Sequence, residues 1–245
     1  MAEVEFVEHG RWAEVVLNRP RQRNAIDGPL GEGLAAAIRR ADRDETIEAV
    51  LLRGADGAFC SGLDLKAFNA EPPPDWMPRF GAIWRAAHTS IYECRKPIVA
   101  ALERFAINGG AALALAADLL VVGETAFLQV GEVRQGMAAP YNMAWLRLRH
   151  SEAVAARLTI TGRRFAGPEL GDIGVAHDVV ADDQVVAAAG NLVEELAGYP
   201  DGATVRIKRL LRAYNDTPAD EWFDRVARLA SGPRVKPRPV DRRLP

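Results

Sequence analysis

Four short segments hold residues that could do chemistry. In the first, Gly57-Ala58-Phe59-Cys60-Ser61-Gly62-Leu63-Asp64-Leu65-Lys66, a buried apolar run passes through small residues into a helix expected to begin near Asp64. Small residues let a ligand approach the main chain closely. A chain entering a helix also exposes N–H groups that no internal carbonyl satisfies, and these attract anions. A plain glycine-containing loop, with Asp64 as a helix-start charge, is the structural alternative. Ile107-Asn108-Gly109-Gly110-Ala111-Ala112 is a second entry of the same kind. Two entries offer two backbone donors that could converge on one oxygen and stabilise a developing oxyanion; losing one such donor typically costs ~3 kcal/mol.

The third segment, Glu132-Val133-Arg134-Gln135-Gly136, places one acid after the apolar stretch Ala126 to Val130, with Ala139-Pro140 just beyond. An acid in apolar surroundings has a raised pKa and can act as a base. An exposed acid at a helix start is the alternative. The fourth, Leu17-Asn18-Arg19-Pro20 followed by Asn24-Ala25, reads first as a strand-to-helix turn.

The elements around these segments follow from periodicity. Val4 to Leu17 alternates apolar and polar residues around His9-Gly10, which predicts two short strands. Ala49 to Leu52, Pro97 to Leu102 and Leu119 to Val122 read as buried strands. Helices are expected over Leu30 to Ala41, Trp76 to Tyr92, Ala111 to Ala117, Met143 to Thr161, Gln184 to Gly198 and Pro200 to Tyr214. Pro72-Pro73-Pro74 cannot sit inside a helix and breaks the chain before Trp76. Strands and helices thus alternate from residue 12 to about 180, which predicts an α/β fold with largely parallel sheets. The expected organisation is a core over 1–180, a helical region over 181–231 and a Pro/Arg-rich tail over 232–245.

Bulk properties narrow the class. The chain has 245 residues, 49% hydrophobic and 26% charged, enough to bury a substantial core. A net charge of −2 gives no electrostatic case for nucleic acid or an anionic membrane. No stretch approaches the roughly 20 apolar residues of a membrane span, and acids stand where a signal peptide would be basic. Cys60 and Cys94 lack metal-ligand or disulfide-framework spacing, so no metal is expected and a reducing compartment, the cytoplasm, is. His88 and His150 lie at no useful spacing from an acid and read as structural or exposed. The basic tail is expected to be solvated, with the phosphates of a ligand as its alternative contact.

LNRPRQRNAI, AVLLRGADGAFCSGLDLKAF, NGGAALALAADLLVV, GEVRQG and LTITGRRFAGPELGDIGVAHDVV occur in the order found in the enoyl-CoA hydratase/isomerase (crotonase) family, which the chain resembles over residues 11 to 180. The resemblance implies a crotonase-like spiral of stacked ββα turns followed by a C-terminal helical region, assembled as a homotrimer or hexamer. It implies an acyl-CoA substrate, with no cofactor beyond the coenzyme A of that substrate. The Leu63 and Gly109 N–H groups would hold the thioester oxygen, and Glu132 would be the acid–base group. Arg23, Ala25, Ser61, Gly62, Asp64, Leu65, Gly110 and Pro140 would line the CoA and acyl site. Hydratases of the family look like they share a water between two carboxylates, one at the place held here by Ala112. They carry a glycine donor at the place held here by Pro140, which has no N–H. Glu103 is the nearest other acid but lies on the strand side of its loop. The pattern resembles single-glutamate enoyl-CoA isomerases, with an atypical hydratase, another enolate chemistry and a non-catalytic acyl-CoA binder as alternatives. Met77, Phe80, Trp84, Met143 and Trp145 are the residues expected to shape an acyl pocket.

Overall fold

The computed structural model of the protein describes residues 2–213, 215 and 217–230. Strands β1 (Val4–His9) and β2 (Trp12–Leu17) form the expected antiparallel hairpin, closed at Gly10. Helix α1 (Gly28–Arg43) starts where Asp27 accepts the Leu30 N–H at 2.9 Å, and it buries Leu30, Leu34, Ile38 and Ala41 along one stripe. Strand β3 (Ala49–Gly54) follows, then the four-residue helix α2 (Leu65–Phe68) capped by Asp64. Helix α3 (Phe80–Glu93) packs on α1. Next come β4 (Ile98–Leu102), β5 (Phe105–Ile107), α4 (Gly109–Ala116), β6 (Leu119–Gly123) and β7 (Phe127–Gln129). A 3-10 turn over Glu132–Gln135 leads to α5 (Pro140–Arg149) and α6 (Glu152–Thr161). The rest comprises β8 (Arg164–Ala166), α7 (Gly167–Asp172), β9 (Asp178–Val180), α8 (Val185–Gly198), α9 (Ala203–Ala213) and α10 (Ala219–Leu229).

The main sheet has the order β1-β2-β3-β4-β6-β9 and is parallel from β2 onward; the second sheet has the order β5-β7-β8. After β4 and again after β6 the chain turns a corner and adds one short strand to the second sheet before entering a helix or turn. The isolated bridges Cys60↔Ala106 and Ile26↔Leu63 mark the same corner in the earlier turns. This repetition is the expected ββα spiral.

Main-sheet side chains alternate between two cores. Val50, Leu52, Ile98, Ala100 and Val122 face the large core with α1, α3 and α4. Leu51, Val99, Ala101 and Val121 face α8, which offers Val185, Ala189, Val193 and Ala197 at every fourth position. Asp118, just before β6, is a half-buried anchor, bonded by Lys208 at 2.7 Å, Arg149 at 3.0 Å and Arg212 at 3.2 Å.

Several boundaries differ from the sequence expectation. The single helix expected over Met143 to Thr161 is two, because His150-Ser151 turns extended and the Ser151 hydroxyl caps α6 at the Val154 N–H. The helix expected from Trp76 begins as a 3-10 turn over Met77–Arg79, where Pro78 removes a donor. Pro200–Gly202 is likewise a separate turn, with Asp201 left-handed at φ 56°. Strands β5, β7 and β8 were not expected; at three residues each they are too short to show alternation. Helix α10 falls in the helical region expected over 181–231, though no individual helix is expected over its own residues from periodicity, and lays Phe223 and Val226 onto α3 and α5. No helix of the described residues is long and apolar enough to cross a membrane. The tail over 232–245 lies outside the described residues.

Candidate active site

The weakest of the four motifs turns out to be the brace. Asn24 is fully buried and donates from Nδ2 to the carbonyls of Ala55 (2.9 Å) and Ala58 (2.7 Å), while its Oδ1 accepts the Arg19 N–H at 2.9 Å. The Arg19 guanidinium lies among Glu3 at 2.8 Å, Asp27 at 3.0 Å and Asp64 at 3.0 Å. Asp64 therefore does two structural jobs, as the helix cap and as the Arg19 partner. Together these bonds fix the 55–64 loop against the start of α1.

That loop aims one N–H into open space. Ile26 N–H donates to Gly62 O (2.8 Å) and Asp64 N–H donates to Ile26 O (2.9 Å), so the intervening Leu63 N–H faces the opposite side. Gly62 makes the turn at φ 90°, where a Cβ would stand 2.8 Å from Ile107 O. The second entry is held as firmly. Asn108, at φ 52° and ψ −111°, is a strained non-glycine residue. Its N–H donates to Gln129 O at 2.8 Å, and its Oδ1 accepts the Gly131 N–H at 2.8 Å. Gly110 lets α4 approach the first loop: a Cβ there would meet Cys60 O at 2.5 Å. Leu63 and Gly109 consequently line one cavity of about 220 Å³. Neither N–H has an acceptor among the described residues.

Glu132 opens the 3-10 turn, lines the same cavity and is buried. Its Oε1 accepts from Asn142 Nδ2 at 2.9 Å, and its Oε2 is buried without a partner. Burial pushes the carboxyl up to about 7, against the pull of its own backbone N–H and of Asn142. The acid thus has the expected apolar surroundings rather than an exposed helix-start position. Ala112 and Pro140 line the same cavity. Glu103 does not; it is half-buried between β4 and β5, raised by burial with Arg53 opposing. Phe80, Trp84 and Tyr141 form an aromatic wall, and burial keeps the Tyr141 phenol protonated by pushing it up to about 12.

Of the other residues singled out from sequence, Ser61 and Leu65 also face the cavity. Arg23, Ala25, Gly62, Asp64 and Gly110 shape it from behind: Arg23 O accepts the Ser61 N–H at 3.1 Å, and Ala25 O accepts from Arg19. Met143 lines a neighbouring apolar cavity of about 670 Å³ that shares Met137 and Ala139 with the first. Met77 and Trp145 line neither. Trp145 is instead a core residue whose indole N–H donates to His88 Nδ1 at 2.8 Å, and burial pushes His88 down to about 3, so it stays neutral. His150 ends α5. Asn142 was missed from sequence, although one amide in the run Pro140-Tyr141-Asn142-Met143-Ala144-Trp145 was a signal.

Two backbone donors and one buried carboxylate on a shared cavity have the chemistry needed to form an enolate from a carbonyl compound. Residues 9–230 match the enoyl-CoA hydratase/isomerase family. The chain is 30% identical over 217 residues to a carnitinyl-CoA dehydratase of Proteus mirabilis, spanning 87% of this chain and 82% of that one. It superposes on a carnitinyl-CoA dehydratase structure from Mycobacterium avium with a TM-score of 0.82 at 29% identity, covering 94% and 91% of the two chains. An enoyl-CoA hydratase/isomerase structure from Pseudoalteromonas atlantica gives a TM-score of 0.82 at 25% identity, covering 93% and 90%. The chain belongs to the enoyl-CoA hydratase/isomerase family, enzymes acting on CoA thioesters.

Proposed function

We propose that the protein shifts the double bond of a 3-enoyl-CoA to the 2-position. The observation that supports this best is the lone carboxylate: Glu132 shares its cavity with two unsatisfied backbone donors, and Ala112 stands where a second acid would be needed to hold water. Leu63 and Gly109 N–H groups donate to the thioester oxygen and acidify C2. Glu132 takes the C2 proton, and the C–H electron pair moves into a dienolate whose charge rests on that oxygen. The same carboxyl returns the proton at C4, the thioester carbonyl reforms, and the double bond is left between C2 and C3. One group suffices because the proton leaves and returns on it. Coenzyme A enters as part of the substrate, and no other cofactor is required.

The names of the relatives favour a second reading, removal of water from a 3-hydroxyacyl-CoA. Here Glu132 would take the C2 proton and pass it to the departing hydroxyl on the same face. A spectrophotometric screen of 2-enoyl-, 3-enoyl- and 3-hydroxyacyl-CoA thioesters, with Glu132→Gln alongside, separates the two. Isomerisation lost in the variant supports the first reading. Water addition or loss without isomerisation supports the second. Tight thioester binding without turnover of any would leave an acyl-CoA binder. Exposed Ile160, Ile207, Leu210 and Leu211 support a homotrimer or hexamer, which light scattering tests.

A further inference from the structure

We propose that Asn142 is the positioning residue of this site, tying the base and the oxyanion-hole peptide into one unit and leaving Glu132 Oε2 as the single oxygen that carries the proton. The proposal rests on reading Glu132 as the base.

Asn142 is 1% exposed, near the start of α5. Its Nδ2 carries two hydrogens, and both are engaged: one on Glu132 Oε1 at 2.9 Å, one on Asn108 O at 3.1 Å. The orientation of the amide is determined by these partners. Flipped, its Oδ1 would face a carboxylate and a carbonyl, two acceptors against a third.

The second bond matters as much as the first. Asn108 O and the Gly109 N–H belong to one peptide plane, and a trans peptide points them in opposite directions. Holding the carbonyl therefore holds the donor that faces the cavity. Ala112 N–H also donates to Asn108 O, at 3.0 Å, but it belongs to the same helix as Gly109 and moves with it. Asn142 is the link that comes from another element and reaches the base.

The first bond selects the working oxygen. Oε1 is occupied by a neutral donor; Oε2 has no partner. The surroundings leave this selection to Asn142. Among the described residues, Arg134 on the same turn, Tyr141 and Arg147 on α5, Glu152 and Arg157 on α6, and His88 on α3 contribute no charge interaction to Glu132. Its protonation is set by burial, its own backbone N–H and Asn142. A neutral donor steadies the carboxylate without the strong loss of basicity that a neighbouring cation would bring.

The test is Asn142→Ala, read in two independent ways. Carbon-13 NMR of protein labelled at the glutamate carboxyls follows the Glu132 titration directly, with Glu132→Gln identifying its signal. The midpoint is expected to rise by roughly half a pH unit or more when the donor is lost. With 3-enoyl-CoA, kcat is expected to fall on the order of 10- to 100-fold with KM held within about twofold, and the acidic limb of kcat/KM to move up with the NMR midpoint. Asn142→Asp, which keeps the shape, covers the case in which the alanine variant does not fold; its added carboxyl should raise the Glu132 midpoint further. A Glu132 midpoint unchanged in either folded variant overturns the proposal, as does an unchanged kcat. If the wild type turns over no 3-enoyl thioester, the isomerase reading fails, and the NMR titration still decides the role of Asn142.

Discussion

Replacing Glu132 by glutamine should cost the enzyme its activity and make the fold more stable, increasingly so as pH rises from about 4.5 to about 7. An ordinary glutamate has a pKa near 4.5, whereas burial raises this one to about 7. Between those values the folded chain keeps a proton that the unfolded chain has released. Stability therefore falls as pH rises through the window from about 4.5 to about 7, and the deficit is complete above it. The gap corresponds to roughly 3 kcal/mol at alkaline pH. Glutamine has the shape of the protonated acid: its carbonyl can accept from Asn142 as Oε1 does, and its amide takes the place of the unpartnered Oε2. It carries no charge to desolvate. Calorimetric melting of both proteins should give nearly equal Tm values around pH 4 and a variant higher by roughly 6–12 °C around pH 8.5 for a chain of this size. Parallel Tm curves across that range would show that Glu132 ionises at no cost. The raised base, and the proton-shuttle mechanism built on it, would then be wrong.

Further outcomes test the frame around the base. Gly62→Ala forces a side chain into φ 90° and to within 2.8 Å of Ile107 O. It should cost about 1–3 kcal/mol in denaturant titration and lower kcat by turning the Leu63 N–H away from the cavity. Asp118→Asn removes the anion that Lys208, Arg149 and Arg212 share in a half-buried cluster, and should cost about 3 kcal/mol by the same measurement. Those cations hold the Asp118 carboxyl well below the usual carboxylate range, so its contribution is present at neutral pH and lost as pH falls into strong acid. The variant's stability should lack that acid limb. Ala112→Glu puts a second carboxyl into the cavity of Glu132; the like charge should push Glu132 above about 7 and shift the acidic limb of the pH–rate profile upward.

The chemistry was legible where it lies in the main chain or in one conspicuous acid. Leu63 and Gly109 are found from helix entries that follow buried strands, because an unsatisfied N–H is a consequence of local geometry. Glu132 stands out as one acid after an apolar run. The residues that position them were not legible. Asn24 and Arg19 hold a loop more than thirty residues downstream, and neither spacing nor periodicity links Asn24 to Ala58. Asn142 comes from a helix whose boundary was itself misplaced, since Pro140 rather than Met143 begins it. The second sheet escaped notice because each of its strands is three residues long and takes its stability from pairing across turns of the spiral. Alternation within so short a strand carries almost no information.

Ala112 and Pro140 do more than remove groups that would hold water. They line the Glu132 cavity with a methyl and a ring, and burial raises the basicity of that carboxyl. A carboxylate at its ordinary pKa is a poor base for a C2 proton; one near 7 takes the proton more readily and still gives it back. A cation beside it would undo this, lowering the carboxyl by ~1–3 units through charge attraction. The site instead uses a neutral amide, Asn142, for the one bond the carboxylate needs. On the proposed isomerase reading, apolar walls, an uncharged donor and a carboxylate oxygen without a partner are three parts of one device for moving a proton between two carbons.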